Sequence, residues 1–227
     1  MSSTPGCLRA VPALGAPGES RDALLTGASL HGQTSPFRLT LPLDYTQAAP
    51  WPLLLSFHGL GGDHTSSALF EEHGRRAGYI VAAPRGYDDG WGDGWHSWRG
   101  FGSVGSPGPA GPTCVGEHWY CYPTCGACTD SCWWTTCDDS VGQVVALLEM
   151  LEAALCLDAG RVFGTGESMG GMFLFELAVD PRTSNRIKAY FPTVGSPHNG
   201  FNRPPAAAPV TLIGVWGETD TTVPPLA

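Results

Sequence analysis

The segment Arg161-Val-Phe-Gly-Thr-Gly-Glu-Ser-Met-Gly-Gly-Met-Phe173 carries the pentapeptide Gly-Glu-Ser-Met-Gly, centred on Ser168. A short β-prone apolar run precedes the glycines, and apolar residues at helical spacing follow from Met169 to Val179. Asp180-Pro181 then ends the helical pattern. The segment predicts a strand, a tight turn and a helix in that order, an arrangement typical of a nucleophile elbow.

The pentapeptide alone is weak support for this prediction. The chain contains 31 glycines in 227 residues, so a Gly-x-Ser-x-Gly match by chance is a real alternative. In that alternative Ser168 is an ordinary exposed serine in a glycine-rich connection. The surrounding chain has to distinguish the two interpretations.

The region before the elbow predicts a βαβ unit. Trp51–Phe57 has the pattern of a buried strand, a helix is predicted from Thr65 through Arg76 with its end at Gly78, and Tyr79–Ala83 is a continuous apolar run. Strand, helix and strand in succession indicate an α/β fold with a mostly parallel sheet.

Further elements are predicted on both sides of this unit. Phe37–Leu41 alternates like an edge strand, and a helix with one apolar stripe follows Asp138-Asp139, with Ser140 and Gln143 in capping-box spacing. The Asp pair is interpreted as a cap and not as a catalytic dyad. Two later strands are predicted at Ile187–Phe191 and Val210–Trp216.

Length and charge limit the classes of function. A chain of this size suits a single α/β domain, here residues 22–227, after a loose arm over residues 1–21 in which Cys7 is the one possible anchor. The formal net charge of −9, with scattered Lys and Arg, argues against nucleic-acid or anionic-membrane partners. No stretch is long and apolar enough to span a bilayer. Oligomeric state is not predicted.

A long insertion over residues 84–137 interrupts the α/β pattern. Six of the eight cysteines lie in its second half, which favours disulfides and a secreted protein. Zinc binding through Cys125-Gly-Ala-Cys128 and free thiols are the alternatives. No secretory signal is readable at the N-terminus, so we expect the true start to lie upstream.

The first half of the insertion is rich in tryptophan. Trp91, Trp95 and Trp98 provide either a stacking surface for substrate or the core of the loop itself. Both interpretations stay open at the level of sequence.

A serine nucleophile needs a base, an acid that orients the base, and donors for the oxyanion. The backbone N–H of Met169 and that of Leu60, in the loop His58-Gly-Leu-Gly-Gly62, are the predicted donors. Asp220, which follows an apolar strand, is the predicted acid, with Glu218 as its substitute. The alternatives are a simple glycine turn for the loop and a solvated turn residue for Asp220.

Taken in order, six segments resemble the polyhydroxybutyrate-depolymerase and feruloyl-esterase-like branch of the α/β-hydrolases. They are His58-Gly-Leu-Gly-Gly62, Trp133-Trp-Thr-Thr-Cys-Asp-Asp139, Leu155-Cys-Leu-Asp-Ala-Gly-Arg-Val-Phe163, Gly166-Glu-Ser-Met-Gly-Gly-Met-Phe173, Pro192-Thr-Val-Gly195 and Gly217-Glu-Thr-Asp-Thr-Thr-Val-Pro224. The resemblance implies a three-layer α/β-hydrolase sandwich and secreted carboxylic-ester hydrolysis. It assigns Ser168 as nucleophile and Asp220 as triad acid. The substrates expected are feruloyl or acetyl esters on polysaccharide, or short polyesters, and the mechanism needs no cofactor or metal.

The chain departs from this family at the general base. The family histidine follows the acid, and none of the seven histidines follows Asp220. His96 and His198 are candidate replacements, although neither has the expected topological position. We interpret the chain as lacking the last strand, the last helix and the catalytic loop. A non-catalytic binding protein that keeps the pocket without the base is the competing hypothesis.

Overall fold

A computed structural model describes residues 3–7, 14–26, 34–89, 95–99, 122, 124, 135–197, 206–220 and 223. The strands are β1 (Ser20–Thr26), β2 (Thr34–Thr40), β3 (Trp51–Phe57), β4 (Ile80–Pro84), β5 (Leu157–Glu167), β6 (Ala189–Thr193) and β7 (Thr211–Leu212). The helices are α1 (Ala68–Ala77), α2 (Ser140–Ala154) and α3 (Met169–Val179).

The described strands form one sheet in the order β1-β2-β4-β3-β5-β6-β7. The five neighbouring strands β4, β3, β5, β6 and β7 pair in parallel. Strand β2 pairs antiparallel with β4, and β1 pairs antiparallel with β2, so these two strands extend the sheet beside β4. Parallel pairing brings the carboxyl ends of β3, β4, β5, β6 and β7 to one edge. In open α/β sheets this edge is where ligands bind. The predicted mostly parallel α/β architecture is confirmed.

Helices cover the two faces of the sheet unequally. Alternate residues of β3, including Leu55 and Phe57, join the main core with apolar side chains of α2 and α3. On the opposite face α1 lies against β4, where Gly74 contacts Val81. The three layers of an α/β sandwich are therefore present. On the α1 face Phe191 of β6 is 37% exposed, so this face is more open than the other.

Several element boundaries differ from the sequence predictions. Phe37–Leu41 was expected at the sheet edge, but β2 is internal and β1, which the pattern did not predict, forms that edge. The α1 helix begins three residues later than expected and ends as predicted at Gly78, whose φ of 79° suits glycine. The expected strand Val210–Trp216 is regular only at Thr211–Leu212.

The N-terminal arm is attached to the domain at its start. Cys7 forms a disulfide with Cys156, and the hydroxyl of Thr4 donates to the Leu155 carbonyl at 2.8 Å and accepts from Leu157 N–H at 2.9 Å. The anchor that the sequence suggested is therefore used. Residues 8–13 lie outside the described part of the chain.

The cysteine-rich part of the insertion lies almost wholly outside the described residues. Cys137 is disulfide-bonded, and Asp89 accepts hydrogen bonds from the hydroxyls of Thr124 and Thr136. These contacts join the described end of the insertion to the loop after β4. Among the described residues no cluster of three or more His, Cys, Asp or Glu is placed to hold a metal. None of the described helices is long and apolar enough to cross a membrane.

Candidate active site

Ser168 lies between β5, which ends at Glu167, and α3, which begins at Met169. Its backbone has φ 50° and ψ −119°, a conformation that a residue with a side chain rarely adopts. Ser168 N–H donates to the Thr193 carbonyl at 2.9 Å, and the Ser168 carbonyl accepts from Met172 N–H at 2.9 Å. Strand β6 and helix α3 therefore hold the strained turn in place, as a nucleophile elbow requires.

The glycines around Ser168 are required by close backbone contacts. A Cβ on Gly166 would lie 2.5 Å from the Gly170 carbonyl oxygen, and a Cβ on Gly170 would lie 2.3 Å from the Phe57 carbonyl oxygen. A Cβ on Gly195 would lie 2.6 Å from the Ser168 carbonyl oxygen. Because backbone atoms cannot move aside easily, only glycine fits at these positions. The pentapeptide is thus a packed strand-turn-helix and not a loose glycine-rich connection.

The loop after β3 lies directly against Ser168. A Cβ on Gly59 would be 3.4 Å from Ser168 Cβ. Gly62 N–H donates to the Gly59 carbonyl at 3.0 Å, and Gly61, at φ 75°, donates its N–H to the His96 carbonyl at 2.9 Å. These two bonds close the loop into a turn over the elbow.

This turn leaves Leu60 N–H available beside the serine. The amides of Gly61 and Gly62 are occupied, whereas Leu60 N–H has no acceptor among the hydrogen bonds of the described residues. Met169 is the first residue of α3, so its N–H has no acceptor within the helix. The two predicted oxyanion donors therefore belong to backbone segments that meet at Ser168.

Both ring nitrogens of His58 form hydrogen bonds that stabilise this loop. Its Nδ1–H donates to the Gly59 carbonyl at 2.7 Å, and its Nε2 accepts from Gly86 N–H at 3.0 Å. His58 is 4% exposed, and burial lowers its pKa to about 4. A neutral imidazole with both nitrogens bonded to backbone has no free nitrogen for Ser168, so His58 is not the general base.

Trp98 lies in the core and not on the substrate side. Its side chain is fully buried, stacks on Phe173 at 5.1 Å between ring centroids, and meets Phe57 edge-on at 5.3 Å. Its indole N–H donates to the His58 carbonyl at 2.9 Å. The expectation that Trp98 offers a stacking surface to substrate is corrected, because no face of the ring is accessible. Trp95 is 38% exposed, and Trp91 lies outside the described residues.

Asp220 follows the last described strand at the carboxyl edge. Val215 pairs with Thr193, the residue whose carbonyl binds Ser168 N–H, so the chain reaches Asp220 from beside the elbow. Asp220 N–H donates to the Gly217 carbonyl at 3.2 Å, and its Oδ1 accepts from Val223 N–H at 2.9 Å. The carboxylate is thus held in a turn, partly exposed, at the edge that carries Ser168. The substitute acid Glu218 is exposed.

In the part of the chain that the structure describes, no general base contacts Ser168, and the Ser168 hydroxyl has no hydrogen-bond partner. His96 Nδ1 binds the Gly62 carbonyl at 3.0 Å, and its Nε2 lies 4.0 Å from Asp88, so His96 faces the oxyanion loop and the loop after β4. Burial lowers the pKa of His96. His198, the other candidate, lies outside the described residues.

A cavity of about 390 Å³ opens beside the elbow on the α1 face. Glu167 and Thr193 line it next to the elbow, and the apolar side chains of Phe70 and Phe191 line it farther away. Ser168 itself is not among the lining residues. Because Glu167 is the neighbour of Ser168 in the chain, the cavity adjoins the elbow.

Sequence reasoning missed the residues that support the loop. Gly86 and Trp98 bond to His58 from the loop after β4, and Gly195 packs against the elbow from the end of β6. The only signal for Gly195 was its place in the Pro192-Thr-Val-Gly195 segment. Nothing in the local pattern of Gly86 or Trp98 indicates that it binds a loop many residues earlier.

Comparison with solved structures supports the fold. A thermostable esterase superposes with a TM-score of 0.57 at 16% identity over 90% of this chain and 48% of its own. The fluorophosphonate-binding serine hydrolase F of Staphylococcus aureus, solved with substrate bound, gives 0.50 at 15% identity over 78% of this chain and 57% of its own. This chain therefore spans about half the length of these structures. No family model matches the sequence, and no curated protein does. The chain therefore shares its α/β fold with a solved esterase and a solved serine hydrolase.

Proposed function

We propose that the protein is a serine carboxylic-ester hydrolase that works through an acyl-enzyme. Ser168 Oγ attacks the ester carbonyl carbon, and the resulting oxyanion accepts hydrogen bonds from Leu60 and Met169 N–H. The proton lost by the serine hydroxyl passes to the leaving oxygen as its bond to the carbonyl carbon breaks, so the alcohol departs neutral. Water then hydrolyses the acyl-serine, which releases the acid and restores the serine hydroxyl. The observation that carries this proposal is the strained Ser168 held directly against Gly59. Two backbone segments therefore meet at the serine, and their Leu60 and Met169 N–H groups have no acceptor among the described residues.

Asp220 is the proposed triad acid. Its segment lies next to Thr193 at the carboxyl edge, which supports a role for its carboxylate in orienting an imidazole that acts on Ser168. The mechanism needs no cofactor or metal, since backbone amides supply the electrostatic stabilisation.

The proposed substrates are feruloyl or acetyl esters on polysaccharide, or short polyesters. This choice rests on the family resemblance together with the half-exposed Trp95, whose ring offers a stacking surface near the oxyanion loop. A secreted location is proposed with it, because the Cys7–Cys156 disulfide and the disulfide at Cys137 suit an oxidising compartment.

The test is hydrolysis of 4-nitrophenyl acetate and methyl ferulate. Ser168→Ala is expected to lower kcat by several orders of magnitude relative to the unchanged protein. Ser184→Ala, in the turn after α3, is the matched control and should leave the rate unchanged. Equal rates for Ser168→Ala and the unchanged protein would rule out Ser168 as nucleophile.

A non-catalytic ester-binding protein is the second candidate. The absence of a hydrogen-bond partner for Ser168 Oγ among the described residues favours it, because an unassisted serine is a poor nucleophile. An alkyl fluorophosphonate, which loses fluoride when a serine attacks its phosphorus, separates the two candidates. Covalent labelling of Ser168 supports the esterase, and saturable binding of methyl ferulate without labelling supports the binding protein.

A further inference from the structure

We infer that Trp98 is a positioning residue that fixes the oxyanion loop, residues 58–62, over the nucleophile. This inference rests on the proposed ester hydrolysis, in which Leu60 N–H from that loop binds the oxyanion. Trp98 acts through the backbone of His58.

The indole of Trp98 holds the first residue of the loop. Its Nε1–H donates to the His58 carbonyl at 2.9 Å, two residues before Leu60. The ring is fully buried and packed between Phe57 of β3 and Phe173 of α3. Because the ring has no room to rotate, the direction of its N–H is fixed by the core.

The other end of the loop is held by the same short segment. His96 accepts from Gly61 N–H through its carbonyl at 2.9 Å and donates from Nδ1 to the Gly62 carbonyl at 3.0 Å. Residues 96–98 therefore make three hydrogen bonds to the loop, on both sides of Leu60. The loop backbone is left with little freedom at the residue whose N–H is proposed to bind the oxyanion.

Hydrogen bonds to other parts of the fold stabilise residues 96–98 and the following Arg99. Ser97 exchanges two backbone hydrogen bonds with Tyr87, at 3.0 and 2.8 Å. The Trp98 carbonyl accepts from the Thr135 hydroxyl at 2.7 Å, and Arg99 N–H donates to the Ser140 hydroxyl at 3.0 Å. Hydrogen bonds to the loop after β4 and to the start of α2 thus fix the segment that positions the oxyanion loop.

This arrangement predicts a specific effect on turnover. Removal of a whole oxyanion donor lowers kcat by about 10²- to 10³-fold. Loss of the Trp98 bond would leave the donor in the chain but free to move, so we expect a smaller fall, about tenfold, in kcat. KM should stay within about twofold, because the ground-state ester gains little from the oxyanion donors.

The test is Trp98→Phe, which keeps an aromatic ring in the core and removes the indole donor. Trp51→Phe is the matched control, since Trp51 Nε1–H also donates to a backbone carbonyl, that of Thr46 at 2.9 Å, far from the carboxyl edge. Hydrolysis of 4-nitrophenyl acetate gives kcat and KM for both variants. If Trp98→Phe does not fold, Thr135→Val, which removes the donor to the Trp98 carbonyl, replaces it and should lower kcat in the same way.

Amide hydrogen exchange gives a readout that does not depend on turnover. In Trp98→Phe the Gly61 amide should exchange at least about tenfold faster, and in Trp51→Phe it should keep its rate. If Ser168→Ala hydrolyses the ester as fast as the unchanged protein, the proposed function fails while the exchange data still decide the role of Trp98. Unchanged kcat together with unchanged Gly61 exchange in Trp98→Phe would overturn the inference, as would equal effects of the two tryptophan variants.

Discussion

At the scale of single residues, the glycines of the elbow are the most constrained positions. A Cβ on Gly170 would lie 2.3 Å from a backbone oxygen of β3, which cannot move without disturbing the sheet. We expect Gly170→Ala to lower the free energy of unfolding by about 3 kcal/mol. Gly217→Ala is the control, since its Cβ would meet nothing closer than 3.6 Å. Chemical denaturation of both variants checks this, and equal stabilities would contradict the packed elbow.

His58 makes stability depend on pH. Its folded-state pKa, lowered by burial to about 4, lies below the ordinary value of 6.5, so the unfolded chain binds a proton first as pH falls. The contribution of His58 to stability is therefore complete above pH 6.5 and is lost between pH 6.5 and about 4. The total loss is about 3 kcal/mol, because each pKa unit corresponds to about 1.4 kcal/mol.

Denaturant unfolding between pH 7 and 4 tests this pH dependence. His58→Gln should flatten it over that window, while His73→Gln, on the exposed side of α1, should leave it as it is. A His58 ring that becomes protonated near pH 6.5 in NMR titration would show that the neutral ring is not required by the fold.

At the scale of elements, the start of α2 shows a local signal that was nearly correct. Ser140 and Gln143 have capping-box spacing, but the cap is Asp139, whose carboxylate accepts from Gly142 N–H at 3.0 Å. The interpretation of the Asp pair as a cap and not a dyad agrees with this geometry. Asp139 also binds Arg182 through both oxygens, at 2.7 and 3.0 Å, which ties α2 to the turn after α3.

The two roles of Asp139 can be separated by substitution. Asp139→Ala removes the cap and the ion pair, and we expect it to lower the free energy of unfolding by about 2 kcal/mol. Asp139→Asn keeps a capping oxygen, so we expect it to lower the free energy of unfolding by only about half as much as Asp139→Ala. Asp44→Ala, at an exposed turn, is the control for thermal unfolding. Equal losses in Asp139→Ala and Asp139→Asn would show that the cap contributes nothing.

At the scale of the whole molecule, the disulfide Cys7–Cys156 joins residues 149 positions apart. A cross-link over such a distance restricts the unfolded chain strongly, so we expect Cys7→Ser/Cys156→Ser to lower the free energy of unfolding by about 2–4 kcal/mol. Thr4→Val, which removes the neighbouring hydroxyl contacts and keeps the disulfide, should cost less. Denaturant unfolding under oxidising conditions gives the comparison, and a midpoint unchanged in the double variant would contradict it.

The sheet as a whole has one weakly covered end. β7 is two residues long, and Ile213 and Val215 beside it are 66% and 52% exposed. The sequence pattern predicted a longer strand at Val210–Trp216, because apolar alternation reports the tendency to pair but not the length of the pairing. How far a strand extends depends on the neighbour it pairs with, which lies elsewhere in the chain.

The sequence by itself determined the α/β class, the parallel core strands, the strand-turn-helix at Ser168 and the end of α1 at Gly78. These features depend on apolar periodicity and on glycine positions, which are local properties of the chain. Only the tertiary structure decided that His58 is locked as a neutral ring, that Trp98 is core and not substrate surface, and that β2 is internal. Each of these depends on hydrogen bonds or packing between segments far apart in the chain, and no local pattern records such partners.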